Sequence, residues 1–414
     1  MFKFVKYYSN LNRNLLKLIA AEYFLQLINT SFMLIMLIYM QKEGYPDHES
    51  ADYVSFRFLG VLILSVPLGL YIKGKKLHPF FKTAVYFVPA LAWIIVQAIH
   101  QHQSTLLYIS MFLWGISFTL IQIPVLPYIL RNTHAQDRTS AIALSYATFS
   151  FASISSGFII FILRNINPVL FTEKLLLEIL IIISLAAIFF IKSMVPIEEH
   201  FEQDNATRWN LLDFDWTSII QATVPTLLIA IGAGLTIPFI GIFFYNVHQL
   251  DSQNFSLIGA IAAILVAFAA IQVPYIKNKL GFKTAIPLTQ SLAILALVLM
   301  ASTELYKNMH AAIYIAVACY IIRQPLMNMA GPMTSEVVMG YVGNKNREIM
   351  SAITAAIWSG SWFISSRIFK VLRESGFPYY QVFFITACLY AIGVILYFAL
   401  VIKYNIKLKR GEIE

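Results

Sequence analysis

The stretch Tyr71-Ile72-Lys73-Gly74-Lys75, followed by Phe81-Lys82-Thr83-Ala84, returns later in the chain as Tyr275-Ile276-Lys277-Asn278-Lys279, followed by Phe282-Lys283-Thr284-Ala285. The offset is 204 residues at the first block and 201 at the second. Each copy is a short basic turn between two long apolar runs. A second echo sets Arg138 and Arg347 just ahead of two further runs. Basic turns recur in many membrane proteins, because lysine and arginine gather in cytoplasmic loops. Recurrence at equivalent loops of two halves says more. It predicts parallel repeats related by an axis along the membrane normal, an architecture used by one large class of transporters.

Outward from those turns, apolar periodicity predicts twelve spanning helices, over about 15–40, 51–73, 83–100, 105–130, 138–163, 173–193, 218–245, 255–276, 284–303, 310–341, 349–372 and 380–403. The one long connection, Lys192 to Thr217, is polar and acidic, with Glu198, Glu199, Glu202, Asp204, Asp213 and Asp215. It divides the chain into a first six-helix bundle (1–195), a cytoplasmic linker (196–217) and a second six-helix bundle (218–414). The expected fold class is therefore an all-α polytopic membrane protein.

Composition agrees. Of 414 residues, 59% are hydrophobic and only 12% are charged, against about 45–50% and about 25% in soluble proteins. An ordinary soluble enzyme is excluded. The two cysteines, Cys319 and Cys388, both sit in apolar runs, so there is no disulfide framework. The first run is too long for a signal-peptide core and no small-residue cleavage site follows it, so it is expected to be retained as a span. The net charge of +9 is not gathered into a basic patch with interleaved aromatics, so no nucleic-acid partner is expected. With the N-terminus inside, 21 of the 30 lysines and arginines fall in cytoplasmic segments, six in external loops and their flanks (Lys42, Arg164, Lys174, Lys307, Lys370, Arg373) and three deeper within spans. The positive-inside rule then predicts a cytoplasmic (inner or plasma) membrane protein with both termini cytoplasmic.

These features are similar to the major facilitator superfamily (MFS) over essentially the full length of the chain. The family's signature between its second and third helices reads roughly G-x-L-A-D-R-x-G-R-R. Here Gly69-Leu70-Tyr71-Ile72-Lys73-Gly74-Lys75-Lys76 keeps the glycines and the basic end but lacks the aspartate. In the family that aspartate helps latch the cytoplasmic gate, so a latch of that kind is not implied for the first half. Arg138 and Arg347 resemble the family's arginine before the fifth and eleventh helices. The resemblance implies an MFS fold of two pseudo-symmetric six-helix bundles. It does not fix a substrate. Family drug antiporters often carry G-x-x-x-G-P-x-x-G-G on the fifth helix; this chain has Ala152-Ser153-Ile154-Ser155-Ser156-Gly157, without Gly-Pro.

Function must be sought in the polar groups at membrane depth, which are expensive there and default to functional candidates. Set back at least five residues from the span ends, six charged residues fall at membrane depth: Glu22, Arg57, Glu178, Arg323, Glu336 and Arg367. Glu22, Gln26 and Asn29 share one face of the first helix, which lines the central cavity in the resembled family. Glu22 is the candidate proton-coupling group; its rival reading is a carboxylate snorkelling to the cytoplasmic interface. Tyr320, Arg323, Gln324, Met327, Asn328 and Gly331 share a face of the tenth helix, interrupted by Pro325 and Pro332. Arg323 cannot lose its proton. It must pair with a carboxylate, bond to carbonyls, or await an anionic ligand. Arg57 is either a second anion contact or an arginine snorkelled outward, and Arg367 reads as an interfacial anchor. Glu178 reads as structural, paired with Lys174 one turn away. Glu336, with Arg347 and Lys279, reads as a cytoplasmic ion-pair gate. Trp358 lies too deep for the interfacial belt and suits a cavity wall.

No phosphate-binding glycine loop, metal-ligand cluster or nucleophile triad is visible, so no ATP-driven pump, enzyme or cofactor is expected. The leading expectation is a secondary active transporter that moves a small organic solute by alternating access, proton-coupled in that Glu22 offers a carrier. Two arginines and aromatic walls favour an anion, such as a metabolite carboxylate or a carboxylate-type siderophore. The expected binding set is Arg323, Gln324, Asn328, Arg57, Asn29, Gln26 and Trp358. Expected partners are the solute and the lipid bilayer, with the chain acting as a monomer. The alternative is a proton-antiport exporter of lipophilic drugs or toxic compounds, with the arginines structural. A membrane-embedded enzyme or sensor is disfavoured by the missing catalytic constellation and by the short tail from Tyr404 to Glu414.

Overall fold

A computed structural model describes residues 11–72, 75–132, 138–195, 214–343 and 346–411. Among these, every regular element is a helix, and twelve are long enough to span a bilayer. They are α1 (Arg13–Lys42), α2 (Asp47–Tyr71), α3 (His78–His100), α4 (Ser104–Asn132), α5 (Arg138–Ile166), α6 (Glu173–Lys192), α7 (Trp216–His248), α8 (252–280), α9 (282–302), α10 (His310–Val342), α11 (Arg347–Glu374) and α12 (Tyr379–Lys409). The linker over 196–213 lies outside the described residues, as do Lys73, Gly74 and the side chains of Arg138 and Arg347.

Local chemistry sets the helix ends. The side chain of Asn12 accepts the Asn14 amide at the start of α1, Thr172 accepts that of Leu175 before α6, and Asp215 accepts that of Ser218 before α7. Between α8 and α9 the chain runs on helically except at Gly281, whose φ of 67° and ψ of 164° suit glycine alone. Among the described residues, eleven of the twelve helices are apolar enough to span by composition, and α11 is the exception. Its polar groups are taken up by protein instead. Ser365 donates to the Ile231 carbonyl at 2.7 Å, and Lys370 reaches the Asp52 carboxylate at 2.7 Å. A segment facing protein on those sides need not be apolar there.

The chain resolves into two compact units. One is Met1–Pro46, Phe56–Ala206 and Ser252–Ala260; the other is Asp47–Ser55, Thr207–Asp251 and Ile261–Glu414. The repeat read from the basic turns reappears in packing. In the first unit α1 packs on α5 and α6; in the second α7 packs on α11 and α12. The core of the first unit centres on Trp114, fully buried and stacked between Phe32 and Phe118 with centroids 5.1 and 5.5 Å away. That of the second centres on Phe239 stacked on Phe369 at 3.7 Å.

The first turns of α2 and α8 each cluster with the unit that does not hold the rest of the helix, and charge explains how they are held. Asp47, in the second unit, accepts from Arg373 at 2.8 and 3.1 Å, from Asn246 at 3.0 Å and from the Tyr379 hydroxyl. Asp52 pairs with Lys370 and Arg367. Arg367 is thus an ion-pair partner rather than an interfacial anchor, since a buried carboxylate at Asp52 demands a cation. In the first unit, Ser252 donates to Glu173, which also holds Lys42 at 2.7 Å and Arg164 at 2.8 Å.

Candidate functional site

In the second unit a cavity of about 240 Å³ is lined by Arg323, Gln324, Met327 and Asn328 of α10, Trp358 of α11, Gln290 of α9, Tyr390 and Tyr397 of α12, and apolar residues of α7. Of the face predicted on α10, Arg323, Gln324, Met327, Asn328 and Gly331 line this cavity, and Tyr320 does not. Around the interrupting prolines, side chains turn back on the helix. Asn328 donates to the Gln324 carbonyl at 2.8 Å, and Thr334 to the carbonyls of Ala330 and Gly331 at 3.0 and 2.9 Å. Gln324 also hydrogen-bonds Tyr320 through their side chains.

Arg323 dominates this cavity. It is 1% exposed. Its Nη2 reaches the Tyr390 hydroxyl only at 3.5 Å, the edge of hydrogen-bonding range, and its Nε has no partner. No carboxylate pairs with it among the described residues. A buried guanidinium left in that state costs on the order of several kcal/mol.

In the first unit the other predicted residues form a chain of hydrogen bonds. Arg57 is 8% exposed, donates through Nη2 to Asn29 Oδ1, and lies 4.3 Å from the centre of the Trp114 ring. Asn29 in turn donates to Gln26 Oε1 at 2.8 Å. Two glycines make this possible. A Cβ at Gly115 would lie 2.1 Å from the Arg57 carbonyl oxygen, and one at Gly60 would lie 2.2 Å from that of Phe112. Helices α2 and α4 thus touch backbone to backbone beneath the guanidinium. Arg57 is not snorkelled; it is fixed indoors. Just beyond Asn29, residues Phe32–Met36 adopt a π-helical turn, a feature often found at functional sites. Glu22 is likewise buried, accepting from Ser145 at 2.6 Å, so it does not snorkel to the interface.

At the basic turns, Glu336 pairs with Lys277 at 2.6 Å rather than with Lys279, which faces the Tyr275 ring at 5.9 Å. Two residues turn a helix by about 200°, so the helical phase of α8 decides which lysine meets α10. Whether Arg347 joins them lies outside the described residues. In the first half, where the signature aspartate is missing, Arg131 donates to the carbonyls of Lys75 and Ile72 at 2.8 and 3.2 Å. Glu178 accepts from Gln97 at 2.7 Å instead of pairing within its own helix. Gly157 packs against Ser256 and Ala260, so the small stripe on α5 is a packing surface. Gln290, Tyr390 and Tyr397 are not singled out by the sequence pattern; Gln290 sits in a short polar run, Thr289-Gln290-Ser291, inside an apolar segment. Among the described residues no cluster of three metal-ligating side chains occurs.

The family described as Major Facilitator Superfamily matches residues 19–366. No curated protein matches the chain. Solved structures of similar fold include a nucleoside transporter, NupG, at 14% identity and TM-score 0.73, covering 94% of this chain and 100% of that one. The xylose transporter XylE from E. coli, in an inward open conformation, shows 13% identity and TM-score 0.73, with 93% and 96% covered. A bacterial homologue of the iron transporter ferroportin, in an inward-facing state, shows 12% identity and TM-score 0.71, with 94% and 98% covered.

Proposed function

Because the chain belongs to the major facilitator superfamily, we propose that it is a proton-coupled secondary active transporter carrying a small organic anion across the cytoplasmic membrane by alternating access. Its being a multi-pass membrane transporter rests on family and fold. The cargo cannot be borrowed, because proteins of this fold are named for nucleosides, xylose and iron. It is argued instead from Arg323: a guanidinium 1% exposed, without a carboxylate partner, on the wall of a cavity of about 240 Å³. In a water-poor site such a group gains far more from an anion than it would in bulk solvent.

Gln324 and Asn328 offer polar edges to the same solute, and Trp358 a wall. Arg57, Asn29 and Gln26 form the polar stripe of the first unit. Glu22, buried on α1, is the proton carrier, in keeping with the D-xylose-proton symporter of similar fold. Glu336 with Lys277 is the cytoplasmic ion pair, with both termini on that side.

The test is uptake of radiolabelled mono- and dicarboxylates into proteoliposomes, with an imposed pH gradient. Arg323→Gln is expected to raise the apparent KM about 30-fold or more, on the scale of losing one partner of a buried charge pair. Glu22→Gln is expected to remove the dependence on the gradient while leaving exchange. Unchanged carboxylate transport by Arg323→Gln would overturn the anion reading. One observation favours the rival exporter of lipophilic compounds: an open, mostly apolar groove between α1 and α5, lined by Leu16, Ile19, Tyr23, Leu144 and Phe151. Extrusion of a cationic dye by cells expressing the protein, unaffected by Arg323→Gln, would decide for it.

A further inference from the structure

Gln290 is 3% exposed and lines the Arg323 cavity, yet its buried Oε1 has no hydrogen-bond partner. A buried amide oxygen left unpaired is uncommon, because each stranded polar group costs about 1–3 kcal/mol. The helix carries no local explanation for it. Neighbouring Thr289 bonds back to the carbonyls of Ala285 and Ile286, whereas Gln290 does not. One cavity therefore holds two stranded groups of different kinds: a guanidinium that can only donate, and an amide that can donate and accept.

Resting on the anion reading above, we propose that the transported solute is a hydroxycarboxylate, its carboxylate on Arg323 and its hydroxyl on Gln290. The choice of a hydroxyl follows from the amide itself. The amide carries an accepting oxygen and a donating nitrogen side by side. A hydroxyl both donates and accepts, so it can serve both ends. An ammonium can only donate, and a second carboxylate can only accept. The aromatic side chains of Trp358, Tyr390 and Tyr397 enclose the remainder of the solute, which suits an apolar or aromatic body. Gln290 is in this sense a specificity-determining residue: it discriminates among anions that Arg323 alone would take equally.

Matched pairs test this directly. Phenyllactate against 3-phenylpropionate, and malate against succinate, differ only by the hydroxyl. With the full-length protein in proteoliposomes, each is measured as a competitor of labelled exchange and as a stabiliser against thermal unfolding. Wild type is expected to prefer the hydroxylated member of at least one pair by about tenfold. Gln290→Leu is expected to lose that preference while still binding the plain carboxylate, and Arg323→Gln to lose both members. Gln290→Met, closer in shape and flexible, serves as the second apolar variant and must give the same result. A hydroxyl preference that survives both Gln290 variants, or no preference in wild type while Arg323→Gln still abolishes binding, overturns the hydroxycarboxylate inference and leaves the anion reading standing. If wild type binds none of the four anions, or Arg323→Gln binds them as well as wild type does, the anion reading falls and takes this one with it.

Discussion

Arg57 and Arg323 are the same side chain, 8% and 1% exposed, each inside a helical unit of the same architecture. Their surroundings could hardly differ more. Arg57 has an amide oxygen to donate to, an indole face beneath it, and a backbone crossing that tolerates no extra atom. Arg323 has one hydroxyl at the edge of bonding range and a cavity. Burial alone therefore does not mark a ligand site. What marks it is whether the protein has already satisfied the buried group. An arginine held by Asn29 and Trp114 has its donors engaged by the protein, whereas one beside a cavity is, in the function proposed above, the group that meets the solute. That difference predicts opposite behaviour on substitution.

The largest stability effect should come from the crossing under Arg57. In Gly115→Ala the new Cβ would meet the Arg57 carbonyl oxygen at 2.1 Å. The obstacle is backbone, so no side chain can turn away and α2 must separate from α4. A loss of about 3 kcal/mol, the upper range for overpacking, is expected. It would be read as the shift in thermal unfolding of the purified protein. A wild-type melting curve for Gly115→Ala would mean that the crossing is slack and that Arg57 is not held as described. Arg57→Met should follow with a smaller loss, about 1–2 kcal/mol, because it strands the Asn29 oxygen while roughly preserving volume. Transport KM for carboxylates should move little in that variant. A large rise in KM with unchanged melting would make Arg57 a ligand group and erase the contrast.

How much of this could be read from sequence follows the same line between local and distant causes. The twelve spans and the repeated basic turns are legible because an apolar run or a Lys-rich turn is a property of neighbouring residues. The α10 face is legible because Tyr320, Arg323, Gln324, Met327, Asn328 and Gly331 obey the geometry of one helix. Partners are not legible, since they depend on how helices rotate against one another. Lys370 finds Asp52 across 318 residues, Arg367 does likewise, and Glu336 takes Lys277 rather than Lys279 by the phase of α8. Gln97 takes Glu178 from its own neighbour Lys174 for the same reason. The polarity of α11 shows the converse error: a helix can span while failing as an apolar run, provided protein takes up its polar groups. Of the candidate site, Arg323, Gln324 and Asn328 are legible as a helical stripe, and Trp358 as an aromatic set too deep for the interfacial belt. Tyr390 and Tyr397 were hidden among the many aromatics of the chain.

Arg323→Met is the finest discriminator between the two regions because its expected stability effect is near zero or reversed. Removing one partner of a satisfied buried pair is costly. Removing a buried charge that has no partner relieves desolvation instead, and replacing buried ions by apolar groups is often neutral or stabilising by about 1–4 kcal/mol. In the absence of solute, then, Arg323→Met should melt at or above the wild-type temperature, while Arg57→Met melts below it. Adding a carboxylate ligand should raise the wild type relative to Arg323→Met. A ligand at about 100 times its Kd stabilises the wild type by about 2.7 kcal/mol and leaves Arg323→Met where it was. If Arg323→Met instead melts as low as Arg57→Met with no ligand present, Arg323 is serving the fold through contacts as firm as those of Arg57. The cavity beside it would then be a packing void, because a group the protein cannot spare is not one it has kept free for a solute.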